Sequence, residues 1–183
     1  MKSFLTGVVT TLALIAAGVY FYFARGFAPV ATSAPPMPFE KTLARLALHA
    51  RIDKEMPKTV PIQASEANYV AGAALYAEHC ASCHGVPGRP ETAIAQGEFP
   101  RPPQLFRGKG VTDDSPGETY WKIANGIRLT GMPGFDKSLS TTQMWQISVL
   151  LANADKLPAS ALAALAGPPE AKAPPAVDGV PIR

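Results

Sequence analysis

Both cysteines of the chain fall within five residues, Cys80-Ala81-Ser82-Cys83-His84. That placement excludes a disulfide-dense secreted scaffold and a four-cysteine structural zinc site. A thioredoxin-like C-x-x-C needs a surrounding βαβ pattern, and strand signals here are poor. Zinc would need two further ligands. The histidines are His49, His79 and His84, and the two nearest lie too close in sequence to wrap a tetrahedron comfortably. C-x-x-C-H is, in contrast, the attachment signature for c-type haem. Two thiols three residues apart at a helix end reach both vinyl groups of one haem, and the imidazole that follows is delivered to the iron from the same side.

The chain around this motif divides into four segments. Residues 1–25 hold a run of twenty residues without a charge, Phe4 to Phe23, flanked by Lys2 and Arg25. Twenty residues at 1.5 Å each span about 30 Å, the thickness of a bilayer's hydrocarbon core. The run ends in Tyr20-Phe21-Tyr22-Phe23, an aromatic cluster of the kind found at membrane–water interfaces. A cleaved signal peptide has a shorter apolar region and an A-x-A site. Here Gly26-Phe27-Ala28 comes nearest and Pro29 follows it directly, so an uncleaved transmembrane anchor is expected. Lys2 and Arg25 balance too closely to set its orientation.

Residues 26–64 are expected to be a Pro-rich linker followed by a short amphipathic helix. Phe39, Leu43, Leu46, Ala47 and Ala50 recur at helical spacing, charges fill the other face, and Pro57 marks the stop. The helix either packs on the domain or lies on the membrane. Residues 65–156 form the compact domain, and 157–183 an Ala/Pro-rich tail read as disordered apart from a helical turn at 159–166. Residues 1–64 carry seven basic and three acidic groups, against eight and nine in 65–156. Positive charge beside a bilayer attracts lipid headgroups. The whole-chain charge of +3 is too mild for nucleic-acid binding, and no paired-carboxylate or phosphate-cradling motif points to an enzyme.

The expected fold class is all-α. Ser65 caps a helix running to about His79, with Tyr69, Gly72, Ala73, Tyr76 and Cys80 on one face. Gly72 costs a mid-helix roughly 1 kcal/mol relative to Ala, for which close approach of another helix is a reason. Ser115-Pro116-Gly117-Glu118 and Ser140-Thr141-Thr142-Gln143 read as capping boxes opening two further helices. The first bears Tyr120, Trp121 and Ile123 and stops at Gly126. The second bears Met144, Trp145, Ile147, Val149, Leu150 and Leu151. A core this small gains much of its apolar contact from a buried haem.

Candidates for a sixth iron ligand are Met37, Met56, Met132 and Met144. Met144 sits in an apolar helical pattern and reads as core. Met132 lies in Thr130-Gly131-Met132-Pro133-Gly134-Phe135, a loop stiffened by proline and freed by two glycines. Such a loop either holds a thioether against the iron opposite His84 or merely covers apolar surface.

Taken together, residues 68–154 resemble the class I (mono-haem) c-type cytochromes of bacteria. The resemblance rests on Gly72-x-x-x-Tyr76-x-x-x-Cys80-x-x-Cys83-His84-Gly85, Pro103-x-Leu105, Trp121-x-x-x-Asn125-Gly126, Gly131-Met132-Pro133 and the Trp145 helix, in the family's order. It implies a small cytochrome c-like helical domain around one covalently bound haem c, preceded by a single transmembrane helix. It implies that Cys80 and Cys83 are thioether-linked, His84 is the proximal and Met132 the distal iron ligand. Pro103 is the match for the proline carbonyl that receives the proximal histidine's other N–H. The stretch from Cys83 to Pro103 is longer than in compact members. It further implies a domain on the periplasmic side of the bacterial inner membrane, because haem is attached there.

Two functional classes follow. A His/Met iron has no open site, which suits a membrane-tethered electron carrier and not an enzyme. Its redox partners would be a quinol-oxidising complex, a periplasmic dehydrogenase or a terminal oxidase, through small transient contacts. The rival is a gas sensor or peroxidase-like haem protein with an open or labile sixth position.

Overall fold

The computed structural model describes residues 1–108 and 112–167. Chain contacts divide it into two compact units, Met1–Leu48 and His49 onward. Among the described residues every regular element is a helix.

The first unit opens with α1, Lys2–Ala24, none of whose residues is buried. Among the described residues it is the one helix long and apolar enough to cross a bilayer, with a mean hydropathy of 2.0. Two of its hydroxyls return to its own backbone: Thr6 Oγ1 donates to Lys2 O at 3.0 Å and Thr11 Oγ1 to Gly7 O at 2.9 Å. The Arg25 guanidinium lies over the Phe21 ring at 4.8 Å, and Tyr22 meets Phe23 edge-on at 5.5 Å.

Helix α2 spans Glu40–Glu55. The spacing of Phe39, Leu43 and Leu46 is helical as expected, yet these side chains are exposed, and the residue that α2 buries is Ile52. Nine residues separate Leu43 from Ile52, about 900° of rotation, which puts them on opposite sides of the helix. The packing side follows from what comes next in the chain. Trp121 Nε1 donates to Glu55 Oε2 at 3.2 Å and Ser115 Oγ meets Met56 Sδ at 3.9 Å. A Cβ on Gly117 would run into the Pro57 carbonyl. Residues 52–57 are therefore fastened to the domain that follows.

That domain is built on α3 (Glu66–His79), α6 (Pro116–Asn125), α7 (Thr141–Leu151) and α8 (Ala159–Ala166), with single turns α4 (Ala81–His84) and α5 (Ala93–Gly97) between. Ser65 caps α3 through Asn68 N, and Ser115 caps α6 through Glu118 N. Ser140 and Gln143 close a full reciprocal box on α7. Each cap satisfies an amide the helix leaves orphaned.

Helix α3 crosses α7 at Gly72. A Cβ there would stand 2.7 Å from the Gln146 carbonyl carbon, so the close approach expected from the sequence is to the backbone of α7. Gln146 Nε2 donates to Asn68 Oδ1 at 3.1 Å beside the crossing. Helix α6 meets α7 through stacked Tyr120 and Trp145 rings, 4.4 Å apart. Met144 is core, 4% exposed. Residues 159–166 form two turns of helix, and Ala161 and Leu165 are buried in the same core as Tyr76 and Leu150. Arg89 Nη2 and Ser160 Oγ tie α8 to the domain through Ala166 O and Glu66 Oε1. The rest of the expected tail, 168–183, lies outside the described residues.

Candidate haem site

Cys80 ends α3 and the chain turns at once into α4, so the C-x-x-C-H residues sit on one tight turn. Three donors hold the carbonyls of that turn and of the residue after it. Gln104 Nε2 donates to Cys83 O at 3.0 Å, Leu105 N to His84 O at 3.3 Å, and buried Tyr76 OH to Gly85 O at 2.9 Å. Gly85 adopts φ 70, where an L side chain is strained, and the Gln104 amide occupies the space a Cβ would need.

His84 Nδ1 lies 2.9 Å from the Pro103 carbonyl oxygen. A carbonyl only accepts, so Nδ1 carries the proton and Nε2 keeps its lone pair. Burial pushes the His84 pKa below its usual value, against the pull of the Pro103 carbonyl and of Glu98. The ring is thus held neutral, as a metal-ligating imidazole must be.

His84, both cysteines and Met132 line one cleft. Its walls are largely apolar, with Pro100, Pro102, Ile123, Ile127 and Phe135 among them. Met132 is presented by a loop with its own hydrogen bonds: Ile127 N donates to Met132 O at 3.1 Å and Met132 N to Thr130 Oγ1 at 3.1 Å. The loop lies against the end of α6 at Gly126, φ 65, where a Cβ would stand 2.6 Å from the Pro133 carbonyl carbon.

The thiols are unbridged. Burial, then the neighbouring Cys83, pushes the Cys80 pKa up to about 12, and burial also raises Cys83. Cys83 Sγ donates to Glu98 Oε1 at 3.2 Å, and a Cβ on Gly131 would stand 2.7 Å from Glu98 Oε2. Glu98 thereby bridges the attachment turn and the Met132 loop. Neither Glu98 nor Gln104 stands out in the sequence; a carboxylate and an amide flanking the Pro100–Pro103 run were the available signal.

The structure brings together all five expected residues, Cys80, Cys83, His84, Pro103 and Met132, around the cleft. Two free thiols, an imidazole nitrogen without a hydrogen bond, a thioether and apolar walls suit a flat iron porphyrin. Among the described residues no cluster of three or more His, Cys, Asp or Glu could hold a separate metal ion.

Comparison with known families agrees. Residues 67–151 match the family described as cytochrome c oxidase, cbb3-type, subunit III. Among solved structures, the chain is similar to a chain of the Kuenenia stuttgartiensis reducing HAO-like protein complex. That likeness has 27% identity and a TM-score of 0.45, and it covers 56% of this chain and 52% of the other. The match thus spans about half the length of that chain. No curated protein matches. The motif and the helical core agree with that family match over residues 67–151, and together they support a c-type cytochrome domain with haem c as cofactor and haem-based electron transfer as its chemistry.

Proposed function

We propose that the chain is a membrane-tethered, mono-haem electron carrier whose haem is bonded through Cys80 and Cys83 and ligated by His84 and Met132. The observation that carries this reading is that a neutral imidazole and a thioether line one cleft with both thiols. When bound, the haem iron supplies a one-electron couple, and a Met ligand raises its potential.

The chain's own residues do the rest. The Pro103 carbonyl fixes the tautomer and plane of His84, which makes Nε2 the ligating atom. The Thr130 and Ile127 hydrogen bonds hold the Met132 loop in shape, and Met132 on the iron would leave no open position there for substrate. The apolar walls exclude water and lower the reorganisation that accompanies a change of charge. Helix α1 anchors the chain in the bacterial inner membrane with the haem domain on the periplasmic side, where haem attachment takes place. Donors and acceptors are then membrane or periplasmic complexes: a quinol-oxidising complex, a periplasmic dehydrogenase or a terminal oxidase. Holding the domain near them raises its effective concentration.

The test is absorbance of the mature protein, ferric and ferrous, with and without carbon monoxide. A haem that resists acid-acetone extraction, a low-spin spectrum with the weak red Met-to-iron band and no response to carbon monoxide are expected. Rapid carbon monoxide binding would replace this reading with a sensor or peroxidase-like protein. Pyridine haemochrome against protein concentration gives the stoichiometry, expected to be one.

A further inference from the structure

Helix α2 presents two apolar faces, and the domain uses one of them. Ile52 is 1% exposed, while on the opposite side Phe39, Leu43 and Leu46 are 76%, 63% and 67% exposed. Phe39, at the entrance of the helix, holds φ 63. A bulky side chain rarely adopts that conformation, and the strain goes with an aromatic ring left in solvent. Nothing among the described residues covers this stripe.

We propose that the Phe39–Leu43–Leu46 face of α2 is a lipid-contacting surface that seats on the bilayer holding α1. The proposal rests on the reading of α1 as a membrane anchor. Area decides between occupants. A fully covered aromatic contributes about 150–250 Å² and two leucines a comparable amount, roughly 300–500 Å² in all. A stable protein interface takes about 800 Å² from each partner. A second copy or a soluble partner therefore lacks a foothold on this stripe alone, whereas an interfacial helix adds its contact to an anchor already in place. Fifteen residues separate the end of α1 from the start of α2. Fully extended they reach about 50 Å, so α2 never leaves the neighbourhood of the membrane. The surplus of base over acid in residues 1–64 complements anionic headgroups.

The test uses the full-length, haem-loaded chain in vesicles of phosphatidylethanolamine and phosphatidylglycerol. A nitroxide is carried on a noncanonical side chain, leaving the cysteines untouched, at Leu43 or, on the opposite face, at Lys41. The ratio of collisions with oxygen to collisions with a water-soluble nickel chelate should be several-fold higher at 43 than at 41. A side chain sunk about 5–10 Å into the headgroup boundary requires that difference. Equal ratios in vesicles that retain the chain overturn the proposal alone. Spin–spin broadening at 43 that vanishes on dilution with unlabelled chain also overturns it, in favour of a second copy. Extraction of the chain by alkaline carbonate overturns the anchor reading, and this proposal with it.

Discussion

His84 Nδ1 and the carbonyl oxygen of Pro103 are 2.9 Å apart, across nineteen residues of chain. The contact closes the longer loop between the attachment turn and the proline run. Around it, Gln104 and Leu105 bond the carbonyls of Cys83 and His84. One short stretch, 103–105, therefore orients the imidazole from both its ring and its backbone. Such outer contacts fix a ligand's tautomer and raise its basicity.

In the same cleft, Met132 is held by hydrogen bonds to its backbone. Replacing Met132 with Ala should leave the loop folded while removing the thioether. The reduction potential is expected to fall by on the order of 0.1 V, a fraction of the ~0.8 V that axial ligands span. Carbon monoxide should then bind the ferrous form. Redox titration and a carbon monoxide difference spectrum check both, and an unchanged potential would remove Met132 from the ligand set.

The α3–α7 crossing predicts a stability effect with no change at the iron. Gly72→Ala places a methyl against the backbone of Gln146, which has no rotamer to give way. Overpacking of this kind costs about 1–3 kcal/mol. For a domain of this size that is roughly 4–8 °C in Tm for each kcal/mol. Thermal unfolding followed at the Soret band should show the loss, with the ferric and ferrous spectra of the folded state unchanged.

These two examples also mark what the sequence makes legible. Gly72 and the Ser140–Gln143 box are readable because a mid-helix glycine and a capping box have local signatures, and C-x-x-C-H names its chemistry outright. The α2 stripe leaves its partner undetermined for a physical reason. Phe39, Leu43 and Leu46 show the right period, but periodicity cannot say which face finds a partner. Ile52 is buried because residues 55–57 wrap the start of α6, a contact some 60 residues away in sequence. Ala161 and Leu165 sit in an alanine-rich stretch that composition places in a tail, yet α3 supplies the surface they need. Glu98 and Gln104 belong to loops, where only the fold decides what a side chain faces.

Truncating Ile52 to Ala should therefore behave as a core substitution even though it lies outside the family-matched residues. A cavity left by an isoleucine costs about 2–5 kcal/mol. Leu43→Ala, on the exposed face, should cost the domain less than about 0.5 kcal/mol. Chemical unfolding of the two variants in detergent separates them, and equal destabilisation would mean that α2 is not fastened through Ile52.

Lys122 makes alkaline stability predictable. It bonds Asp114 at 2.6 Å and Glu118 at 2.9 Å. Burial alone would lower its pKa, but hydrogen bonds and charge from both carboxylates outweigh that and raise it above 10.5. A base whose folded pKa is raised gives its full stabilisation below the unfolded value and loses it as pH climbs through the folded one. The native protein should thus lose stability above about pH 10.5, and Lys122→Met should lack that part of the loss. Denaturant midpoints at pH 8 and 11.5, compared between the two, read the difference directly.

Glu98 leads to a prediction about the iron whose sign follows from charge alone. Its carboxylate lines the cleft and accepts from the Cys83 thiol. A thioether sulfur at Cys83 would have no proton to donate, and a carboxylate at Glu98 would then line the haem cleft without that hydrogen bond. A negative charge favours the ferric form, which carries one more positive charge than the ferrous. Glu98→Gln keeps the shape and the contact with Gly131 but removes the charge. The potential should rise by on the order of tens of millivolts, the scale of one charge at an intermediate dielectric. Glu98→Ala should raise it similarly while also loosening the Met132 loop, seen as weakening of the red Met-to-iron band. A fall in potential in Glu98→Gln together with weakening of that band would mean that Glu98 acts through the loop, and a fall with the band intact would overturn the charge argument.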